Sequence, residues 1–220
     1  MGIEAVIFDL DGTLIDSELR SEDAKRDFLR NLRDWGIDPG RVSPRRPAEI
    51  IITYLERYRS ADRRFLMMVL EESFEPYEAE AVERARLKPG VGEVLERLKL
   101  IGCRLGLASN NSRRSVERIL RRFDLERLFS AVVSRNDVRR LKPHEEPILK
   151  ALKILGSTPW KALYVGDSVI DVIAGRRAGV HVATIADGGS PPKSLAINGY
   201  TMRTLEDVFE VIGILEERSF

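Results

Sequence analysis

Five short apolar runs recur along the chain: EAVIFDL at 4–10, CRLGLAS at 103–109, SAVVS at 130–134, ALYVG at 162–166 and HVATI at 181–185. Each has the length of a strand, is rich in branched residues, and stays apolar almost throughout instead of alternating. Strands of that kind are buried on both faces, as in a parallel sheet covered by helices. The segments between them have the helical period: GVGEVLERLKLIG, SRRSVERILRRF, EEPILKALKILG and VIDVIAGRRAG, with LEDVFEVIGILEE as a closing helix. The pattern predicts an α/β fold with a Rossmann-like parallel-sheet core.

One segment breaks the alternation. Between residues 17 and 86 no strand pattern occurs, and the helical stretches SEDAKRDFLRNLRDWG, PAEIIITYLERYR, DRRFLMMVLEESF and YEAEAVERARL follow one another. Asp38-Pro39-Gly40 and the Pro44 to Pro47 region punctuate them as turns. The expectation is a small all-helical domain, residues 17–86, inserted after the first strand of a core formed by 1–16 and 87–220.

Ligands of an open parallel sheet bind beyond the carboxyl ends of its strands, and the polar residues of this chain collect there. The first strand ends in Asp9 and Asp11, the second in Ser109 and Asn110, and ALYVG runs into Asp167 with Asp171 four residues on. Lys142 precedes the helix between the last two of these loops. Side chains two apart on a strand share a face, so Asp9 and Asp11 can converge. Two carboxylates that close need a cation, or a proton on one of them. Both remedies suit phosphoryl transfer, with one carboxylate attacking phosphorus and the other protonating the departing oxygen. Gly12 and Thr13 would turn the backbone and offer N–H groups to an anion. Asp167 and Asp171 supply hard oxygen atoms of the kind Mg²⁺ takes, and Lys142 a point charge for phosphate oxygens. Ser109 would hold phosphate with its hydroxyl and the N–H groups of the following helix.

The segments FDLDGTLIDS, LASN, LKP and GDSVID resemble, in order and spacing, the four motifs of the haloacid dehalogenase superfamily, and the resemblance covers essentially the whole chain. It implies that Asp9 is the nucleophile forming an aspartyl-phosphate and Asp11 the general acid and base. It further implies that Ser109 and Asn110 bind substrate, Lys142 neutralises and positions it, and Asp167 holds Mg²⁺ with Asp9 and the Asp11 carbonyl. Asp171 would reach that ion only through one of its ligands or through a water. The inserted helices look like the superfamily's cap, which closes over the site and selects substrate. The order of elements resembles phosphoglycolate phosphatases and related small-molecule phosphatases, and His144-Glu145-Glu146 departs from it by its acidity. A sugar phosphomutase uses the same Asp pair. A dehalogenase would need no acid at position 11, and a non-catalytic relative would be expected to lose one of Asp9, Asp11, Lys142 or Asp167.

Charge and composition narrow the partners. The 36 basic residues nearly cancel the 35 acidic ones, leaving a net charge of +1, which argues against a nucleic-acid partner. No apolar run reaches the roughly 20 residues a membrane span needs, and the N-terminus lacks a leader pattern. Cys103 stands alone in an apolar stretch, as a buried hydrophobe would. The expectation is a cytoplasmic monomer or homodimer acting on a small phosphorylated metabolite. His144 and His181 lack ligand spacing and read as a helix start and a strand residue. Met67 and Met68, like Trp35 and Trp160, read as packing residues. Arg41, Arg45 and Arg46 read as a solvated turn, and Arg113 and Arg114, in a first helical turn that disfavours cations, hint at a nearby anion.

Overall fold

The computed structural model describes residues 2–186 and 199–217. They divide into two compact units, one formed by Met1–Asp16 with Arg86–Phe220 and the other by Ser17–Ala85.

In the first unit, strands β1 (Ala5–Phe8), β4 (Arg104–Ala108), β5 (Ala131–Val133), β6 (Ala162–Gly166), β7 (His181–Ile185) and β8 (Tyr200–Met202) form one sheet in the order β5-β4-β1-β6-β7-β8. Every pairing in it is parallel. The order runs outward in both directions from β1, so the chain reverses its winding beside β1, and a crevice opens there at the carboxyl ends of the strands. A two-stranded antiparallel ribbon, β2 (Ile15–Asp16) with β3 (Arg86–Leu87), stands apart from the sheet.

All four residues of β1 and all five of β6 are buried, as near-continuous apolar strands require. Helices α6 (Glu146–Leu155) and α7 (Val169–Ala178) pack Ile148, Ala151, Leu155, Val172 and Ala174 onto Ile7, Ala108, Val133 and Tyr164. Helix α4 (Val91–Leu100) packs on β4 through a stripe of Val91, Val94, Leu95 and Leu98. Burial of each such side chain contributes about 1.5–3 kcal/mol. Helices α5 (Arg113–Arg122) and α8 (Val208–Glu217) complete the unit. Strand β8 is absent from the sequence reading: YTM is three residues long, too short to establish a period.

The second unit is helical: α1 (Ser21–Asp34), α2 (Ala48–Arg59) and α3 (Arg63–Arg84). Helix α1 packs its Ala24, Phe28, Leu29 and Leu32 face against α3, and Asn31 donates to Ser73 Oγ at 3.0 Å. The two stretches read separately as 62–74 and 77–87 merge into a single helix that runs through Pro76 and ends at Arg84; Arg86 and Leu87, read as helical, instead pair with Asp16 and Ile15 in the ribbon. An interior proline costs about 3 kcal/mol, which the buried Leu70, Phe74, Ala81 and Val82 on either side of it offset. Trp35 and Met68 are 61% and 43% exposed, so neither is a core residue. Trp35 packs only its edge, against Phe65, and Trp160 in the first unit is 63% exposed. Arg41, Arg45 and Arg46 are exposed. Among the described residues no helix is long and apolar enough to cross a membrane.

Candidate active site

Strand β1 delivers Asp9 into the crevice. The Asp9 N–H still donates to Val165 O at 2.9 Å, so the strand ladder fixes its backbone. The chain then folds back on itself: the Leu10 carbonyl accepts from Thr13, Leu14 and Ile15, and the Gly12 N–H donates to Ile15 O at 2.8 Å. The Gly12 and Thr13 amides are therefore closed within the loop, and the expectation that they face an anion is corrected. Gly12 serves by having no side chain. Its φ is +76°, and a Cβ there would lie 2.2 Å from Asp167 Oδ2. Thr13 is fully buried, and its hydroxyl has no hydrogen-bond partner among the described residues.

Strand β6 delivers the second acidic pair. Ser168 caps α7, and the Asp171 carboxylate closes the box by accepting from the Ser168 N–H at 3.1 Å and from its hydroxyl. Asp171 is buried, not the exposed carboxylate that capping alone would leave. A Cβ at Gly166 would come 2.4 Å from the Asp171 Cβ, so only glycine lets α7 start this close to the strand.

Lys142 joins the two halves. Its side chain is 1% exposed, and its Nζ lies 2.6 Å from Asp9 Oδ1 and 2.7 Å from Asp171 Oδ1. It also donates to Tyr164 Oη at 3.0 Å, and that hydroxyl donates to Asp171 Oδ1 at 2.9 Å. Asn110 fixes the lysine's backbone: Lys142 N donates to Asn110 Oδ1 at 3.0 Å, and Asn110 Nδ2 donates to Lys142 O at 3.1 Å. Asn110 thus braces the Lys142 loop, where the sequence reading made it a substrate contact.

Electrostatics follow from burial. Desolvation pushes the Asp9 carboxyl well above the usual carboxylate range; Lys142 opposes that shift, and Asp171 and Asp167 add to it. Burial and then the Asp171 charge push Asp167 up to about 6. Burial alone would raise Asp171 too, but the Lys142 ammonium and the bonds from Ser168 and Tyr164 hold it below the ordinary value. Burial would lower Lys142, yet Asp171 and Asp9 keep it above the usual lysine value. Ligand atoms of Asp9, Asp167 and Asp171 lie within 4.8 Å of one another. Three carboxylates against one ammonium leave two negative charges uncompensated, so a divalent cation fits the donor set.

Asp11 stands outside that trio: its carboxylate accepts from Asn111 Nδ2. Ser109 is buried, and its Oγ accepts from the Asn111 N–H at 3.1 Å. Helix α5 begins only at Arg113, capped by Ser112, with the Arg113 N–H on Asn136 Oδ1 and the Ser115 N–H on Ser112 Oγ. Neither Ser109 nor Asn110 caps it, and these N–H groups are engaged away from Ser109. Arg113 pairs with Asp137, which supplies the countercharge attributed above to a bound anion. His144 Nδ1 accepts from the Glu146 N–H at 3.2 Å and His181 Nε2 lies 3.2 Å from Trp160 O, so neither joins the acidic trio. Glu146 accepts from the Arg139 and Arg140 N–H groups, which gives the carboxylate at that helix start a structural role.

Tyr164 and Asn111 were not singled out in the sequence. Ser168 had a signal, the Ser-x-x-Asp spacing of a capping box. Tyr164 had a fainter one, as the only polar-tipped side chain in ALYVG.

Residues 6–185 match the family model of haloacid dehalogenase-like hydrolases. The chain belongs to that family. Among curated relatives, pyrophosphatase PpaX of Bacillus cereus (strain AH820) is 31% identical over 196 residues, covering 84% of each chain. A solved haloacid dehalogenase-superfamily hydrolase of subfamily IA from Geobacter sulfurreducens is 29% identical, with a TM-score of 0.61 over 96% of this chain and 98% of that one. A Thermotoga maritima protein titled a β-phosphoglucomutase is 26% identical, with a TM-score of 0.62 over 96% and 99%. As a haloacid dehalogenase-like hydrolase the chain is an enzyme, with its four motif segments gathered at the carboxyl ends of β1, β4 and β6 and at the loop before α6.

Proposed function

We propose that this hydrolase is a Mg²⁺-dependent phosphatase that cleaves small phosphorylated metabolites through an aspartyl-phosphate on Asp9. The observation that carries the reading is the Lys142 ammonium bridging Asp9 and Asp171, with Asp167 in the same acidic trio. Asp9 Oδ2 is left to attack phosphorus while Lys142 holds Oδ1. Asp11 donates a proton to the departing oxygen, then takes one from the water that hydrolyses the intermediate. Asp9, Asp167 and the Asp11 carbonyl would hold the cation, and Asp171 keeps Lys142 charged and in place. Bound there, Mg²⁺ offsets negative charge on the carboxylates and on the phosphoryl oxygens.

The name of the Bacillus relative widens the substrate class from monoesters such as phosphoglycolate to include the phosphoanhydride of pyrophosphate. The Thermotoga relative keeps a sugar phosphomutase as the second reading, because a mutase uses the same nucleophile. Phosphate release is to be measured from 2-phosphoglycolate, pyrophosphate, hexose phosphates, nucleotides and p-nitrophenyl phosphate, with Mg²⁺ or with chelator. Turnover should need Mg²⁺ and fall at least about 1000-fold in Asp9→Asn. Full activity in that variant removes the proposal, and isomerisation of a hexose phosphate without net phosphate release favours the mutase.

A further inference from the structure

Asn111 lies outside the motif residues to which the proposed mechanism gives a role, yet its backbone is bonded on both sides and its side chain reaches Asp11. Its N–H donates to Ser109 Oγ at 3.1 Å, and its carbonyl accepts from the Arg135 N–H at 2.8 Å. The side chain of that arginine is 2% exposed, and its Nη1 donates to Asn110 O at 3.0 Å. The two peptide planes that flank the Asn111 Cα are therefore each pinned by a buried residue. Asn111 itself is 8% exposed, and its Nδ2 donates to Asp11 Oδ2.

An amide NH₂ is a donor only. The unprotonated, carbonyl-like oxygen of a carboxyl group is the better acceptor, so it is the oxygen that this donor favours. The contact thus favours Oδ2 as the accepting oxygen of Asp11 and Oδ1 as the proton-bearing one. We propose that Asn111 is the positioning residue of the acid catalyst: it fixes the Asp11 carboxyl and directs the proton on Oδ1 to the leaving oxygen. The proposal rests on the phosphatase reading above. In the first half-reaction the Asp9 Oδ2–P bond forms, the P–O bond to the alcohol breaks, and the Asp11 proton goes to the alcohol oxygen with the electron pair of that bond.

A residue acting only through this proton matters in proportion to how badly the leaving group needs it. Phenyl phosphate and p-nitrophenyl phosphate share a ring and a phosphoryl group, but p-nitrophenolate departs readily without a proton and phenolate does not. The value of kcat/KM reports events up to alcohol departure, so it leaves out hydrolysis of the aspartyl-phosphate. Asn111→Leu keeps the branching at Cγ and deletes the donor, and Asn111→Ala deletes both; each is to be compared with wild type and with Asp9→Asn at saturating Mg²⁺. In both Asn111 variants kcat/KM for phenyl phosphate should fall about 30-fold, with a change under about 3-fold for p-nitrophenyl phosphate. Thermal unfolding identifies the variant that folds, and one suffices. Equal losses on the two substrates, or no loss on either, overturn the assignment by making Asn111 a structural or phosphate-binding residue. If Asp9→Asn still turns over p-nitrophenyl phosphate at the wild-type rate, the phosphatase reading fails first and the role of Asn111 with it.

Discussion

Lys142 illustrates how a single buried charge is made tolerable. An ammonium with 1% of its side chain exposed survives because Asp9 and Asp171 flank it at 2.6 and 2.7 Å and Tyr164 takes a further bond. Deleting one member of such a cluster leaves the others charged and without compensation. Lys142→Met should cost about 3–5 kcal/mol of stability in urea unfolding, and in the double variant with Asp171→Asn the loss should be clearly smaller than the sum of the two. Strict additivity would mean the pair does not interact energetically. Gly12 makes the complementary case for absence: Gly12→Ala sets a Cβ 2.2 Å from Asp167 Oδ2 at a φ of +76°. That variant should lose at least about 100-fold in turnover and about 10-fold in Mg²⁺ affinity. An active Gly12→Ala enzyme with unchanged affinity would show that the loop and Asp167 can separate without consequence.

Helix α7 begins at the site and depends on it. In the Ser168–Asp171 box the Ser168 side chain takes the Asp171 N–H, and the carboxylate that holds Lys142 takes the Ser168 N–H and hydroxyl, so helix start and charge placement are one arrangement. Ser168→Ala should therefore cost about 1 kcal/mol, measured by chemical denaturation, and also lower turnover; a stability loss with kinetics untouched would separate the two roles. This element was legible in advance because Ser168 and Asp171 stand at capping-box spacing. Five of the six sheet strands and the meeting of Asp9, Asp167, Asp171 and Lys142 were legible for a similar reason, since buried parallel strands read as apolar runs and ligands gather at their carboxyl ends. Elsewhere several residues could fill one role. Ser109, Asn110, Asn111 and Ser112 can all cap a helix, and only the fold reveals that Ser112 does so while Asn110 braces Lys142 and Asn111 meets Asp11. Pro76 misled for a different reason: local propensity breaks a helix there, and packing on both sides restores it.

At the scale of the whole molecule, a net charge of +1 conceals a strongly negative point at the carboxyl ends of β1 and β6. Burial raises Asp167 from the ordinary aspartate value to about 6, so the folded protein binds that proton more tightly than the unfolded chain. A carboxyl with a raised folded pKa contributes stability that is present below the ordinary value, near 3.8, and is lost as pH rises through about 6. For Asp167 the loss amounts to at most about 3 kcal/mol, and Asp9, raised in the same direction, adds to it. A divalent cation reverses the sign, because it takes only the deprotonated carboxylates and stabilises the folded state in proportion to its occupancy. Below pH 6 a proton on Asp167 competes with the ion, so Mg²⁺ affinity should drop about tenfold for each further pH unit if one proton is displaced. Calorimetric titration at pH 5, 6 and 7.5 measures this directly. The rise in melting temperature at saturating Mg²⁺ should accordingly be larger at pH 7.5, where the bare carboxylates repel one another, than at pH 5, where protons already relieve the repulsion. Affinity independent of pH across that range would mean that the ion is held away from Asp167, and the acidic trio would then have to be read as a brace for Lys142 alone.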